Sequence, residues 1–124
     1  MVKPYLWHLL SIKHIRKKFK PEAKIQYEFV SSLRTLSLEG KLRCIWFAIS
    51  NETGRNDQAT FGQTQKMLGK ISGTPDLAFM WKGGCGFIEF KAPGGTQTVN
   101  QKYFQEWCKE QNVEYRLCHS SVCA

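Results

Sequence analysis

Residues 73–91 read GTPDLAFMWKGGCGFIEFK, and this stretch decides the reading of the chain. Two apolar runs, Leu77 to Trp81 and Gly86 to Phe90, flank Lys82-Gly83-Gly84-Cys85. Paired glycines between apolar runs signal a two-stranded hairpin. Folding the ribbon there sets Asp76 roughly opposite Lys91. Strand residues two apart share a face, so Glu89 and Lys91 point the same way. Facing and diagonal neighbours on one face lie about 5–8 Å apart. Two carboxylates and one ammonium therefore converge at one end of the hairpin.

That convergence suits a hard divalent cation. Mg2+ takes oxygen ligands, commonly one or two carboxylates, and keeps waters and phosphate oxygens as the rest. Asp76 and Glu89 are the candidate ligands. A cation relieves the repulsion between two close carboxylates while keeping both ionised. Lys91 would orient or help deprotonate a water. Its reference pKa near 10.4 makes polarising the water the safer role. Phosphodiester hydrolysis needs an activated water and a counter-charge in the transition state. The same residues also fit a surface hairpin with a Glu–Lys pair, and spacing does not separate the two readings.

Pro75-Asp76, twelve residues, then Glu89-Phe90-Lys91 resembles the PD-(D/E)XK nuclease signature. The finer pattern resembles the VRR-NUC family, the virus-type replication-repair nuclease domain. It includes Gly73-Thr74-Pro75-Asp76, Glu89-Phe90-Lys91, Gly95, Thr98, Gln101 and Phe104. Upstream, Glu22-Ala23-Lys24-Ile25-Gln26 resembles the family's E-x-x-x-Q, and Asn51-Glu52 its N-E after an apolar strand. The likeness runs from about residue 21 to residue 118. It implies an α/β fold, a mixed central sheet flanked by helices with restriction-endonuclease-like topology. It implies metal-dependent hydrolysis of DNA, with Glu22, Asp76, Glu89 and the Phe90 carbonyl binding one or two Mg2+ or Mn2+. Gln101 would support Lys91 or the substrate. Structure-selective cutting of branched DNA is implied, in the manner of Holliday-junction resolvases acting in repair as homodimers. Two rivals remain: a non-catalytic DNA-binding module of the same fold, and a sequence-specific restriction-type enzyme.

The chain has 124 residues, enough for one domain with a core. Its formal net charge is +8, which favours a polyanionic partner. The excess is concentrated: residues 1–20 hold Lys3, Lys13, Arg16, Lys17, Lys18 and Lys20 and no acid. We divide the chain into a basic amphipathic N-terminal arm, 1–20, and a nuclease-like domain, 21–124. Five cysteines form no C-x-x-C pair, and Cys118, His119 and Cys123 lack a second ligand pair for zinc. With an odd count and no secretory leader, reduced thiols in a bacterial or phage-infected cytosol are expected. No apolar run reaches the ~20 residues of a membrane span.

Residues 5–19 carry apolar and basic residues at partly helical spacing, predicting an amphipathic basic helix. Three uses compete for it: core packing, a dimer contact, or a phosphate clamp through Arg16, Lys17 and Lys18. Pro21 suits a first helical position, and Ile25, Phe29, Leu33 and Leu36 make one stripe that Gly40 ends. Glu22 would be the helix's metal ligand, with Glu28 as the alternative. Arg43 to Ile49 reads as a buried strand. Asp57 would cap a helix from about Gln58 to Leu68, with Gln63, Lys66 and Lys70 as possible DNA-backbone contacts. Thr98 would cap a helix through Gln111 with Val99, Tyr103, Phe104, Trp107 and Cys108 as its apolar face. Glu114 to Cys118 would form the last strand. No P-loop, H-E-x-x-H or G-x-S-x-G is present, which leaves NTPase, zinc-protease and serine-hydrolase readings without residues.

Overall fold

A computed structural model describes residues 3–49 and 59–120. In chain order its elements are α1 (Pro4–Leu10), α2 (Pro21–Leu38), β1 (Ile45–Ala48), α3 (Ala59–Met67), β2 (Leu77–Trp81), β3 (Gly84–Phe90), α4 (Val99–Glu110) and β4 (Glu114–Cys118). The four strands form one sheet in the order β1-β2-β3-β4. The first two pairings are antiparallel and β3–β4 is parallel. The parallel step needs a crossover, and α4 supplies it.

The hairpin turn is tighter than expected. Trp81 pairs with Gly84, so only Lys82 and Gly83 turn, and Gly83 takes φ 101°. Leu77 pairs with Ile88, which puts Asp76 opposite Glu89 and not opposite Lys91. The register moves by two residues, so every side chain keeps its expected face.

Alternation then divides the sheet. Leu77 and Phe90 are fully buried and form the core with Leu33 and Cys118. Phe29 of α2 packs edge-on against Phe79 and Phe90, at 6.5 and 5.3 Å between ring centroids. The Trp46 indole donates to the hydroxyl of buried Ser37 at 2.9 Å, tying β1 to α2. On the other face, Phe87 meets Phe104 of α4 at 5.4 Å.

Three expectations are corrected. The helix expected over 5–19 stops at Leu10, and residues 11–20 have no regular secondary structure. Pro21 forces the residue before it out of the helical region, and Lys20 sits at φ −64°, ψ 157°. The strand expected to be buried is an edge strand, shorter than predicted, with Ile45 67% exposed. On α4 only Phe104 and Cys108 of the expected apolar face turn inward; Val99, Tyr103 and Trp107 are exposed.

Cys44, Cys85 and Cys108 are free thiols, but Cys118 is disulfide-bonded, so the expectation of reduced thiols fails there. Asn51, Glu52, Asp57 and Cys123 lie outside the described residues. Among the described residues, no helix is long and apolar enough to cross a membrane.

Leu77→Ala removes a side chain with 0% exposure from the centre of this core. It should cost about 2–5 kcal/mol of stability in urea unfolding.

Candidate metal centre

Asp76 sits one residue before β2, with its backbone held from both sides. Its N–H donates to the carbonyl of Ile88 at 3.0 Å, and its carbonyl accepts from Ile49 N–H at 2.9 Å. Its side chain is held as well: Oδ2 accepts from the Phe90 N–H at 2.7 Å.

Glu22 lies in the first turn of α2, where the free N–H groups favour an acid. Glu89 comes from β3 and is 1% exposed. Glu22, Asp76 and Glu89 each offer one oxygen, and these oxygens all lie within 4.8 Å of one another. Glu28, the alternative, is exposed and outside this group. No other group of three or more metal-ligating side chains occurs among the described residues.

The Glu89 carboxyl is pushed up to about 9. Burial is the main cause, followed by the hydrogen bond and the charge of Asp76; Glu22 adds to it and Lys91 opposes it. Glu89 Oε1 is buried and, among the described residues, has no hydrogen-bond partner. A buried oxygen without a donor costs about 1–3 kcal/mol or more. A divalent cation would satisfy that oxygen and offset the repulsion among the three acids, so the donor set fits a hard metal ion.

Lys91 follows on the same face of the ribbon and is 8% exposed. Its own N–H donates to the Cys118 carbonyl at 2.9 Å, extending the β3–β4 ladder by one bond. Gly95 folds back over it: a Cβ there would lie 3.0 Å from the Ala92 carbonyl and 3.6 Å from Lys91 Cβ. A buried lysine whose charge acts on buried Glu89 can supply positive charge with little screening by bulk water.

Thr98 and Gln101 form a capping box. Thr98 Oγ1 accepts from Gln101 N–H at 3.2 Å, and Gln101 Oε1 accepts from Thr98 N–H at 2.8 Å. The carbonyl end of Gln101 is therefore committed to the start of α4. Lys66 lies in the last turn of α3, which packs on no other element among the described residues. Arg16, Lys17 and Lys18 are exposed.

Two features escaped the sequence reading. Gly73 has φ 85°, and a Cβ on it would stand 2.5 Å from the backbone carbon of Asn100. Asn100 Nδ2 also donates to Ser72 Oγ at 3.0 Å, so the loop before Asp76 is packed against α4. Tyr115 on β4 is raised to about 12, first by burial, with the charges of Glu89 and Asp76 among the lesser causes. Its hydroxyl accepts from Gln97 Nε2 at 3.2 Å. Gly73 had a signal in the sequence as the first residue of Gly-x-Pro-Asp; Tyr115 had none, because its proximity depends on the parallel pairing.

The mixed four-stranded sheet flanked by helices, with three acids gathered near one end of its central hairpin, is consistent with a nuclease fold of the PD-(D/E)XK kind. The VRR-NUC domain model matches residues 13–122, most of the chain, and the protein belongs to that family. Membership makes it a nuclease acting on DNA, a hydrolase of phosphodiester bonds. Comparisons with curated proteins and with solved structures each returned no significant match.

Gly73→Ala meets both a left-handed backbone and a backbone clash, and should lower stability by about 2 kcal/mol or more in denaturant titration. Glu89 binds its proton more tightly folded than unfolded. The metal-free protein should therefore lose stability as pH rises from about 4.5 towards about 9, where the folded carboxyl ionises. Thermal melts across that range should show the fall in the wild type and a flatter profile in Glu89→Gln; equal slopes would contradict the assignment.

Proposed function

We propose that the protein is a divalent-metal-dependent endonuclease acting on branched DNA, four-way junctions foremost, as a homodimer. The observations that carry the metal dependence are the orphaned, buried Glu89 Oε1 and the approach of one oxygen each from Glu22, Asp76 and Glu89 to within 4.8 Å of one another. Glu22, Asp76 and Glu89, with the Phe90 carbonyl, hold one or two Mg2+ or Mn2+. Such an ion supplies Lewis acidity to a phosphoryl oxygen and lowers the pKa of a water.

Each protein group has its own task. Asp76 keeps one oxygen on the Phe90 N–H, so its carboxylate orientation is set before any ligand arrives. Lys91 polarises the attacking water and offsets charge developing on the phosphate, because its ammonium is buried beside Glu89. Gln101 supports the same end of the sheet through the start of α4. Arg16, Lys17, Lys18, Lys66 and Lys70 contact DNA phosphates. Residues 1–20 serve as an arm to the nuclease domain of 21–124, and the protein works in the cytosol.

The homodimer reading draws on the bare face of the β1–β2 edge. Ile45, Phe47 and Met80 lie on one face, since Ile45 pairs with Met80 and Phe47 with Ala78, and all three are exposed. Adjoining exposed apolar residues of this kind mark an association surface. Two centres related by a two-fold axis would suit paired nicks across a symmetric junction.

The test is cleavage of a panel of four-way junction, flap, single-stranded and linear duplex DNAs with Mg2+, Mn2+ or EDTA. Junction cutting that EDTA abolishes is expected. Asp76→Asn should lower the rate by about 10³-fold or more and Lys91→Ala by about 10²–10³-fold, with DNA affinity little changed. A folded Asp76→Asn protein that cuts at the wild-type rate would remove the metal assignment. Equal cutting of junction and linear duplex would remove the structure selectivity. Sedimentation at micromolar concentration should give a dimer that Phe47→Glu dissociates.

A further inference from the structure

The basic segment before α2 is fastened to it. His14 Nδ1 and the Tyr27 hydroxyl are 2.9 Å apart, and the two rings meet edge to face at 6.2 Å. Phe19 stacks on the same Tyr27 ring at 5.2 Å between centroids, with an interplanar angle of 30°. One aromatic side chain of the helix thus grips the segment at two points five positions apart. Arg16, Lys17 and Lys18 lie between those points, exposed, and Lys17 Nζ lies 5.9 Å from the Phe19 ring centre. The segment has no helical or strand hydrogen bonding of its own. Without the grip, its three cations would be spread over many conformations.

Its position relative to the acids follows from the helix. Tyr27 is five residues after Glu22, which is about 7.5 Å along the axis and about 140° round it. Tyr27 and Glu22 therefore point to nearly opposite sides of α2, and the strap lies across that helix from the metal centre. The phosphates it reaches are several nucleotides from the scissile one. Phosphate contacts fix register without reading sequence, as a structure-selective enzyme requires.

We infer that Tyr27 is a positioning residue: it holds residues 14–19 as a preformed cationic strap that binds the DNA backbone across α2 from the metal centre. This rests on the DNA-nuclease reading for its substrate. Preorganisation lowers the ordering cost of binding without adding a contact. Charge and grip should therefore leave different signatures. Each phosphate contact contributes about 0.7–0.9 to the slope of log affinity against log salt, whereas the grip contributes none.

The experiment measures binding of the full-length protein to a fluorescent four-way junction by anisotropy in EDTA over a range of NaCl, and kcat and KM in Mg2+. Arg16, Lys17 and Lys18 changed together to Ala should weaken binding about 10–100-fold and lower the salt slope by about 2–3. Tyr27→Phe keeps the Phe19 stack but loses the hydroxyl, and should raise Kd and KM about 3–10-fold with salt slope and kcat unchanged. Tyr27→Ala should weaken binding further at the same slope. Circular dichroism and urea midpoints identify any variant that has lost its fold, and Tyr27→Phe, the mildest change, is the deciding comparison.

An unchanged salt slope in the triple variant overturns the strap. Wild-type affinity in Tyr27→Phe overturns the positioning role. If the wild type binds with the expected slopes but does not cut, the strap stands and the nuclease reading falls. If it cuts and the variants behave as wild type, the nuclease reading stands and the strap falls. If the wild type does not bind DNA, both fall.

Discussion

Glu89 carries an acid to a place that water hardly reaches, and much of the structure is arranged around the consequences. A lone carboxylate there would pick up a proton, and Asp76 and Glu22 make ionisation harder still. Among the described residues, the charge working the other way is Lys91, itself buried. Such a cluster is costly without a counter-charge, and a bound cation would relieve that cost. Stability and function are opposed at this point, as is common where groups are held ready for chemistry.

The fold supplies rigidity at that point through Asp76. It is where β1, the hairpin and the Phe90 N–H all meet. Beneath it, Leu77 and Phe90 fill the core against Phe29 and Leu33 of α2. Acids on one face and packed apolar side chains on the other therefore come from alternate residues of the same strands. Gly73 brings the preceding loop against α4, so the start of that helix, with its Thr98–Gln101 box, is set by the same packing. The third acid arrives on the N-terminus of α2 because Pro21 and the residues before it fix where that helix begins.

Charge is distributed to match. The acids are gathered at one point, whereas the first twenty residues carry basic side chains and no acid. Opposite charge would draw a polyanion to those basic residues, and a bound cation would offset the acids. Neither half explains a DNA enzyme alone. On the proposed function, the two together separate holding the backbone from breaking it.

The amino-acid order alone determined what acts over a few residues. The glycine turn, the Thr98 cap, the proline at the start of α2, the glycine stop at Gly40 and the shared face of Glu89 and Lys91 were all legible, since each depends on local backbone sterics or strand alternation. Other features depended on contacts between distant segments. The register opposite Asp76 turned on whether two or four residues made the turn, and both fit the composition. The exposure of β1 depended on how many neighbours the sheet gave it. The choice of Glu22 over Glu28 depended on which end of α2 abuts the strands. The end of α1 at Leu10 and the grip of Tyr27 on His14 and Phe19 came from packing, because apolar spacing cannot distinguish a continued helix from a strap tied across one. Tertiary structure decided these points, since burial and register are settled only when the whole sheet has chosen its partners.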